Sequence, residues 1–140
     1  MSQPDSVYDV AISYASEQLG YVEEFNDCVE KKGFTSFFDR EKQAQLWGEP
    51  LPETLYEVYF RKSKWCVMFI SKEYVSKVYP NLERKAIIDR QIRSERYVLP
   101  VRFDDSEVPG LSVGIKHVWA KDYTPSKLAA LFEERFFTEL

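Results

Sequence analysis

The sequence predicts an α/β fold in three layers, with a five-stranded parallel sheet between two layers of helices. Short apolar runs alternate along the chain with longer stretches in which apolar residues recur every three or four positions. This alternation is typical of strand–helix–strand units and of flavodoxin-like domains. The chain has 140 residues, 44% of them hydrophobic and 30% charged, which suits one domain with a packed core. We expect that domain to span residues 6–138.

The first part of the chain predicts two strands and the helix between them. Val7 to Tyr14 is rich in β-branched and aromatic residues and predicts the first strand. From Glu17 to Lys32 the apolar residues form one helical stripe, and Gly33 is expected to end that helix. Phe34 to Asp39 predicts the second strand.

A polar stretch from Arg40 to Pro52 separates the second strand from the next helix. Its glycine and its prolines interrupt regular structure and predict a loop. Apolar residues then recur at helical spacing, so Glu53 to Ser63 predicts a helix. Trp65 to Ile70 is continuously apolar, as a strand covered on both faces requires, and it predicts the central strand.

Pro80 decides how the following helical stretch, Ser71 to Ser94, is divided. A proline inside a helix removes a hydrogen bond and clashes with the previous turn, whereas it is tolerated at the first helical position. We therefore expect a new helix to begin at Pro80, with Glu83 in its first turn. Two strands and a closing helix follow, over Tyr97–Phe103, Lys116–Ala120 and Ser126–Phe137.

Charge, hydropathy and cysteine content exclude several classes of protein. The net charge is −4, so non-specific binding of nucleic acid is not expected. Apolar runs fall well short of the ~18 residues of a membrane span, and the polar N-terminal residues do not form a secretory signal. We expect a cytoplasmic protein with no membrane partner, in which Cys28 and Cys66 are buried thiols. The lone His117 has no partners for a metal site, so we expect no metal.

Several common catalytic motifs do not occur in the sequence. The scattered glycines form neither a G-x-G-x-x-G turn nor a phosphate loop. There is no G-x-S-x-G elbow, and a single histidine argues against a nucleophile triad. Of the catalytic chemistries considered, catalysis by a carboxylate side chain remains. Open parallel sheets bind ligands at the carboxyl ends of their strands, where this chain carries Ser13, Tyr14, Ser16, Phe38, Asp39, Arg40, Trp47, Tyr74, Tyr79 and Glu83.

Several segments together resemble, in order and spacing, the TIR (Toll/interleukin-1 receptor) domain, bacterial NADase type. They are YDVAISYAS at Tyr8–Ser16, FFDRE at Phe37–Glu41, WCVMFIS at Trp65–Ser71 and LPVRFDDSEVP at Leu99–Pro109. In addition, residues 71–83 are similar to the TIR pattern S-x-x-Y-x-x-S-x-W-C-x-x-E. Ser71, Tyr74 and Glu83 match that pattern, while Tyr79 and Pro80 stand where tryptophan and cysteine are usual.

The resemblance implies that Glu83 is the catalytic residue of an NAD+-cleaving enzyme. In TIR enzymes the glutamate that closes this pattern is essential for breaking the bond between nicotinamide and ribose. The chemistry agrees, because nicotinamide leaves as a neutral molecule and needs no general acid, so one carboxylate can suffice. We expect Glu83 to be ionised at neutral pH, since it lies near a helix N-terminus beside Arg84 and Lys85. NAD+ is then a substrate, and no cofactor is implied.

The resemblance also implies a substrate-binding set around Glu83. Residues 40–51 correspond to the BB loop, which covers the substrate, mediates contacts between TIR domains and is expected to be mobile. Phe38 and Trp47 are candidates for stacking on a planar base, and Arg40 is the nearest candidate for a phosphate contact. The full expected set of substrate-binding residues is Tyr14, Ala15, Ser16, Phe38, Arg40, Trp47 and Tyr79.

Ordinary structural roles are the alternatives for these residues. Glu83 would be a solvated first-turn glutamate, Phe38 and Trp47 packing aromatics, and Tyr14 the buried end of its strand. The basic residues from 84 to 96 are expected to form a solvated helix face rather than a nucleic-acid site.

We therefore expect a TIR domain that hydrolyses or cyclises NAD+ and becomes active when copies self-associate. Such enzymes serve in anti-phage defence or as effectors, usually joined to a sensor domain or protein. The main alternative is a non-catalytic TIR adaptor that only docks other TIR domains, which the departures at Tyr79 and Pro80 favour. A flavodoxin-like nucleotide or phosphoacceptor domain is a weaker alternative, because acidic residues do not cluster at the end of the first strand.

Overall fold

A computed structural model of the chain describes residues 7–77, 80–94 and 96–138, with the backbone alone for residues 80–82. Within these residues, five parallel strands form one sheet. They are β1 (Tyr8–Ser13), β2 (Ser36–Phe37), β3 (Ser63–Ile70), β4 (Val98–Arg102) and β5 (Val118–Trp119). Their order across the sheet is β2-β1-β3-β4-β5. The predicted fold class is confirmed, and the apolar strand β3 lies at the centre as expected.

Helices cover both faces of the sheet. One layer contains α1 (Leu19–Lys31) and α6 (Pro125–Phe136), and the other contains α3 (Leu51–Phe60), α4 (Lys72–Ser76) and α5 (Pro80–Ser94). The alternation along β1 supplies both cores, because Val10 and Ile12 face α1 and α6 while Ala11 faces the opposite layer. A short helix, α2 (Gln43–Leu46), lies in the connection between β2 and α3.

The predicted loop from Arg40 to Pro52 is the main error in the predicted elements. The structure has a 3₁₀ turn at Asp39–Glu41, then α2, and α3 already begins at Leu51. The four residues of α2 are Gln, Ala, Gln and Leu, which favour helix, and Leu46 packs against the apolar core. Gly48 and Pro50 therefore separate two helices, α2 and α3, and the stretch is not one irregular segment.

Other differences are smaller and concern the edges of the sheet. β2 and β5 have two residues each and are shorter than predicted.

Cys66 is buried as expected, but Cys28 is only partly buried. Among the described residues no helix is long and apolar enough to cross a membrane.

Arg90 anchors the second half of α5 against the sheet. Its Nη1 donates to the carbonyl oxygens of Phe60 and Ser63, each at 3.0 Å, and its guanidinium lies 4.4 Å from the centre of the Tyr97 ring. The residue is 7% exposed, so the expectation of a solvated basic face is wrong at this position. The helix begins at Pro80, as predicted, and its first turn lies close to the carboxyl end of β1.

Candidate active site

The candidate site lies where the carboxyl ends of β1 and β2 meet the first turn of α5. The register pairs Ala11 of β1 with Phe37 of β2, and Ser13 of β1 with Met68 of β3. Residues that follow these strands therefore lie at one edge of the sheet. Glu83 reaches this edge from α5 and accepts a hydrogen bond from Ser13 at 3.1 Å.

Glu83 is buried, with 6% of its surface exposed. Burial, together with the negative charge of Asp39, raises its pKa from 4.5 to about 8, and the hydrogen bond from Ser13 and the nearby Tyr59 hydroxyl only partly oppose this. The expectation that Glu83 is ionised at neutral pH is therefore wrong. Its cationic neighbours along the helix point elsewhere: Arg84 donates to the Val75 carbonyl at 2.9 Å, and Lys85 pairs with Asp89 at 3.3 Å.

A chain of buried hydroxyl groups supports the Glu83 carboxylate. The Oγ of Ser13 lies 2.6 Å from the Tyr74 hydroxyl and 3.1 Å from Oε1 of Glu83. A serine hydroxyl has one hydrogen, so when Ser13 donates to ionised Glu83 the Tyr74 hydroxyl must donate to Ser13. Ser71 holds Tyr74 in place, because its side chain accepts from the Tyr74 backbone N–H and caps α4.

Tyr14 and Asp39 form the neighbouring pair. The Tyr14 hydroxyl donates to Oδ1 of Asp39 at 2.9 Å. Burial and the Asp39 charge raise the pKa of Tyr14 well above its ordinary value, so Tyr14 stays a hydrogen-bond donor at any working pH. Tyr14 thus lies directly after β1, and its described polar contact is with a carboxylate.

The other predicted substrate-binding residues have different surroundings. Ala15 is buried and precedes a 3₁₀ turn at Ser16–Gln18, whereas Ser16 is exposed and its Oγ accepts from Lys77 at 3.4 Å. Phe38 is 1% exposed and packs against Tyr14 with ring centres 5.5 Å apart. The expected stacking face at Phe38 is therefore wrong, because the ring is enclosed in the core. Tyr79 lies outside the described residues.

Trp47 and Arg40, which lie in the segment between β2 and α3, are both exposed. Trp47, which is 89% exposed, lines a cavity of about 660 Å³ together with Asp39, Gln43, Leu46, Leu51 and Leu55. The charge of Arg40 acts on Tyr14 and lowers its pKa, which partly opposes the effect of burial. Asp39 lines this cavity and accepts a hydrogen bond from Tyr14, whereas Glu83 does not line the cavity.

Sequence reasoning named Ser13, Asp39 and Tyr74 as candidates at the strand ends but assigned them no role. A serine directly after the apolar run Val10–Ile12 was the available signal for Ser13. Tyr59 was missed, because its phenol reaches the site from α3 and donates to the Ile12 carbonyl at 2.7 Å. Helical spacing shows that such a residue is buried but not where its hydroxyl ends.

His117 and the acidic loop before Pro109 have ordinary structural surroundings. The His117 ring packs edge-on against Trp119 at 5.4 Å. Asp104 accepts hydrogen bonds from the backbone N–H groups of Lys72 and Ser106, each at 2.9 Å. Asp104 therefore contributes to the start of α4.

Comparison with known proteins agrees with the fold and points to an activity. The sequence model of a family described as "TIR domain" matches residues 10–134. The 3' cyclic ADP-D-ribose synthase AaTIR of Aquimarina amphilecti is 40% identical over 129 residues, which cover 91% of this chain and 39% of that protein. The chain therefore spans about two fifths of the length of this relative.

Two solved structures share the fold at low sequence identity. The TIR domain of the Toll-related receptor TRR-2 from Hydra magnipapillata has a TM-score of 0.67 at 20% identity, covering 91% of this chain and 98% of the other. A metazoan TIR-STING receptor from C. gigas has a TM-score of 0.71 at 18% identity, covering 100% and 42%.

Proposed function

The chain belongs to the TIR domain family, and from this premise we propose that it cleaves NAD+ between nicotinamide and ribose. One observation carries the proposal: the Glu83 carboxyl group is buried at the carboxyl ends of the strands and accepts a hydrogen bond from Ser13. The alternative interpretation, a glutamate exposed to solvent in the first helical turn, requires the opposite. A buried carboxyl with a strongly shifted pKa in such a place is typical of a functional site. The 40% identity to a 3' cyclic ADP-D-ribose synthase supports the same activity.

The chemistry requires one negative group close to the ribose. The bond from nicotinamide nitrogen to ribose C1' breaks with its electron pair going to nitrogen, so nicotinamide leaves neutral and positive charge develops on the sugar. Ionised Glu83, accepting hydrogen bonds from the ribose hydroxyls, stabilises that charge more strongly than it stabilises the ground state. Ser13 holds the carboxylate in position. NAD+ acts as a substrate, and the step needs neither cofactor nor metal.

Ionisation of Glu83 then controls the pH dependence of cleavage. Because the pKa of Glu83 is about 8, the active form increases as the pH rises through that value. kcat/KM reports the free enzyme, so we expect it to fall on the acid side of about pH 8.

The product is one of the isomers of cyclic ADP-ribose, ADP-ribose itself, or both. Water and a hydroxyl group of the substrate compete for the ribose cation. A site that excludes water favours capture by the substrate's own hydroxyl. The similar Aquimarina amphilecti protein is named a 3' cyclic ADP-D-ribose synthase, and on that ground we propose cyclisation as the main outcome.

Self-association is proposed to gate the reaction. Glu83 is enclosed, so a ribose reaches it only when the surrounding segments move. A neighbouring copy that contacts residues 40–51 would hold an open arrangement. We further propose a cytoplasmic role in anti-phage defence, with a sensor domain or protein that brings copies together.

The experiment that tests this function follows nicotinamide release from NAD+ over a dilution series of the purified protein, with chromatographic separation of the products. We expect the rate per protein molecule to rise with protein concentration, and cyclic ADP-ribose to exceed ADP-ribose. A rate per molecule that is independent of concentration would contradict gating. No release of nicotinamide at any concentration would contradict the enzymatic proposal.

A docking module is the second candidate function. The 89% exposure of Trp47 favours it, because large exposed aromatic side chains are common at protein interfaces. A docking module would self-associate in the dilution series but would leave NAD+ intact.

A further inference from the structure

The Tyr74 hydroxyl is joined to the Glu83 carboxyl group through Ser13. It lies 2.6 Å from the Oγ of Ser13, which in turn lies 3.1 Å from Oε1 of Glu83. Tyr74 and Ser13 are fully buried, and Glu83 is buried as well. The three residues come from α4, β1 and α5. Two consecutive hydrogen bonds therefore connect three separate elements at the proposed catalytic carboxylate.

The contacts of Tyr74 with its neighbours hold its hydroxyl in one place. Its backbone N–H donates to the Oγ of Ser71 at 3.1 Å, and that hydroxyl donates to Oε1 of Gln18 at 3.0 Å. The guanidinium of Arg84 lies 5.6 Å from the centre of the Tyr74 ring. Tyr74 is thus fixed both by the turn that follows β1 and by the helix that carries Glu83.

The hydrogens of this chain have one favourable arrangement when Glu83 is ionised. Ser13 and Tyr74 supply one hydroxyl hydrogen each. If Tyr74 donates to Ser13 and Ser13 donates to Glu83, both hydrogens are bonded. If Ser13 donates to Tyr74 instead, Oε1 of Glu83 loses this donor and the Tyr74 hydrogen has no acceptor among the described residues. Both losses are costly for buried groups.

Titratable groups face Glu83 from each element packed against it. They are Tyr14 after β1, Asp39 after β2, Tyr59 of α3, Cys66 of β3 and Tyr74 of α4. Asp39 is the charged one, and burial raises the pKa of the other four well above their ordinary values, so they keep their hydrogens. The Tyr59 hydroxyl donates its hydrogen to the Ile12 carbonyl. Tyr74 is therefore the group of this set whose described hydrogen bonds lead to Glu83.

We propose that Tyr74 is a positioning residue of the reaction: by donating to Ser13, it commits the Ser13 hydrogen to Oε1 of Glu83 and so stabilises the ionised carboxylate. The inference rests on the proposed function. A hydroxyl that accepts a hydrogen bond becomes a stronger donor, because hydrogen bonds in a chain polarise one another. Tyr74 acts through Ser13, so its effect depends on the Ser13 hydroxyl.

Tyr74→Phe removes the hydroxyl and keeps the ring. We expect the acid limb of the kcat/KM profile to move to higher pH, with nicotinamide release near pH 7 falling by about 2- to 5-fold. The rate should recover at higher pH, where Glu83 is ionised in both proteins. A purely structural defect would lower the rate at all pH values without moving the limb.

The double variant Ser13→Ala/Tyr74→Phe tests whether Tyr74 acts through Ser13. Once the Ser13 hydroxyl is absent, loss of the Tyr74 hydroxyl should move the limb no further than Ser13→Ala alone does. Tyr97→Phe is the matched control, because Tyr97 is also fully buried and its hydroxyl donates to the Tyr59 carbonyl at 2.6 Å. This control should lower stability and keep the wild-type limb.

A titration of Glu83 provides a readout that does not depend on activity. The protein is labelled with ¹³C-carboxyl glutamate, and the Glu83 signal is assigned by its loss in Glu83→Gln. The midpoint should rise by about 0.3 to 0.7 pH unit in Tyr74→Phe, which corresponds to the expected loss of rate, and should stay unchanged in Tyr97→Phe. Replacement of Tyr74 by 3-fluorotyrosine makes the hydroxyl a stronger donor, so the midpoint should fall.

An unchanged Glu83 midpoint in Tyr74→Phe would overturn the inference, as would a further shift in the double variant beyond that of Ser13→Ala. If Tyr74→Phe does not fold, a midpoint that fails to fall in the 3-fluorotyrosine protein overturns it. Absence of nicotinamide release from the wild-type protein at every pH would instead contradict the proposed function, whatever the titration shows.

Discussion

The Glu83 carboxyl group is subject to two opposing effects. Burial and the charge of Asp39 favour the protonated form, whereas the hydrogen bond from Ser13 and the nearby Tyr59 hydroxyl favour the ionised form. Burial is the largest of these effects, so the pKa lies near 8. The residue is therefore close to its midpoint under physiological conditions, as is common for groups at functional sites.

Removal of the Ser13 hydroxyl should shift this balance. In Ser13→Ala the pKa of Glu83 rises because a hydrogen bond to the ionised form is lost. We expect nicotinamide release near pH 7 to fall by about 3- to 10-fold and to recover at higher pH, since a bond to a charged group contributes ~1 kcal/mol or more.

Ser36→Ala is the matched control for this experiment. Ser36 is also buried in a strand and donates to Oδ1 of Asn26 at 2.6 Å. It should lower thermal stability by a similar amount while its pH–rate profile keeps the wild-type midpoint. A shift in both variants, or in neither, would contradict the role of Ser13.

Glu83 should also make folding stability depend on pH. Its folded-state pKa of about 8 lies above the ordinary 4.5, so the folded protein binds this proton more tightly than the unfolded chain. The contribution of Glu83 to the free energy of unfolding is full below about pH 4.5 and is lost as the pH rises through about 8.

Urea unfolding of wild type and Glu83→Gln at about pH 5 and about pH 9 measures this loss. Because one pKa unit corresponds to about 1.4 kcal/mol, the glutamine variant should be more stable than wild type by a few kcal/mol at the higher pH. Near pH 5 the two should differ little. Equal stabilities at both pH values would show that Glu83 titrates normally.

The charge state of Glu83 could not be predicted from its neighbours in sequence. Arg84 and Lys85 adjoin it along the chain, but successive helix positions point about 100° apart, and both side chains bind other groups. Its position in the first turn of a helix could be predicted, because Pro80 restricts where that helix begins. The contact with Ser13 depends on packing between elements 70 residues apart in the sequence.

At the scale of elements, the segment between β2 and α3 differs most from expectation. Its breakers predicted a loop, yet α2 forms because Leu46 has an apolar core to pack on. Trp47 follows α2 and remains 89% exposed. This exposed side chain lines the cavity. It is therefore available to contact a substrate or a second copy, and it contributes little to stability.

Trp47→Ala should therefore separate function from folding. Since the side chain is exposed, we expect the free energy of unfolding to change by less than about 0.5 kcal/mol. Nicotinamide release per molecule should fall several-fold. Val7 is also exposed and immediately precedes β1, at the end of the strand away from the site. Val7→Ala is therefore the control and should leave the rate unchanged. Full activity in Trp47→Ala would exclude this residue from both substrate binding and assembly.

At the scale of the whole molecule, the parallel sheet brings distant residues to one edge. The continuous apolar run of β3 required cover on both faces, which made its central place predictable. The short edge strands β2 and β5 were predicted too long, because apolar residues near an edge pack against helices without joining the sheet. Phe34, for example, lies outside β2 but packs against Phe132 of α6 with ring centres 5.1 Å apart.

The central claim is that ionised Glu83 cleaves the bond between nicotinamide and ribose. Its most direct test is nicotinamide release from NAD+ by concentrated wild-type protein and by Glu83→Gln at about pH 9, where the carboxyl group is ionised. We predict release by the wild type and a rate about 100- to 1000-fold lower in the variant, the loss expected for one group that stabilises transition-state charge. Equal rates from the two folded proteins would contradict the claim.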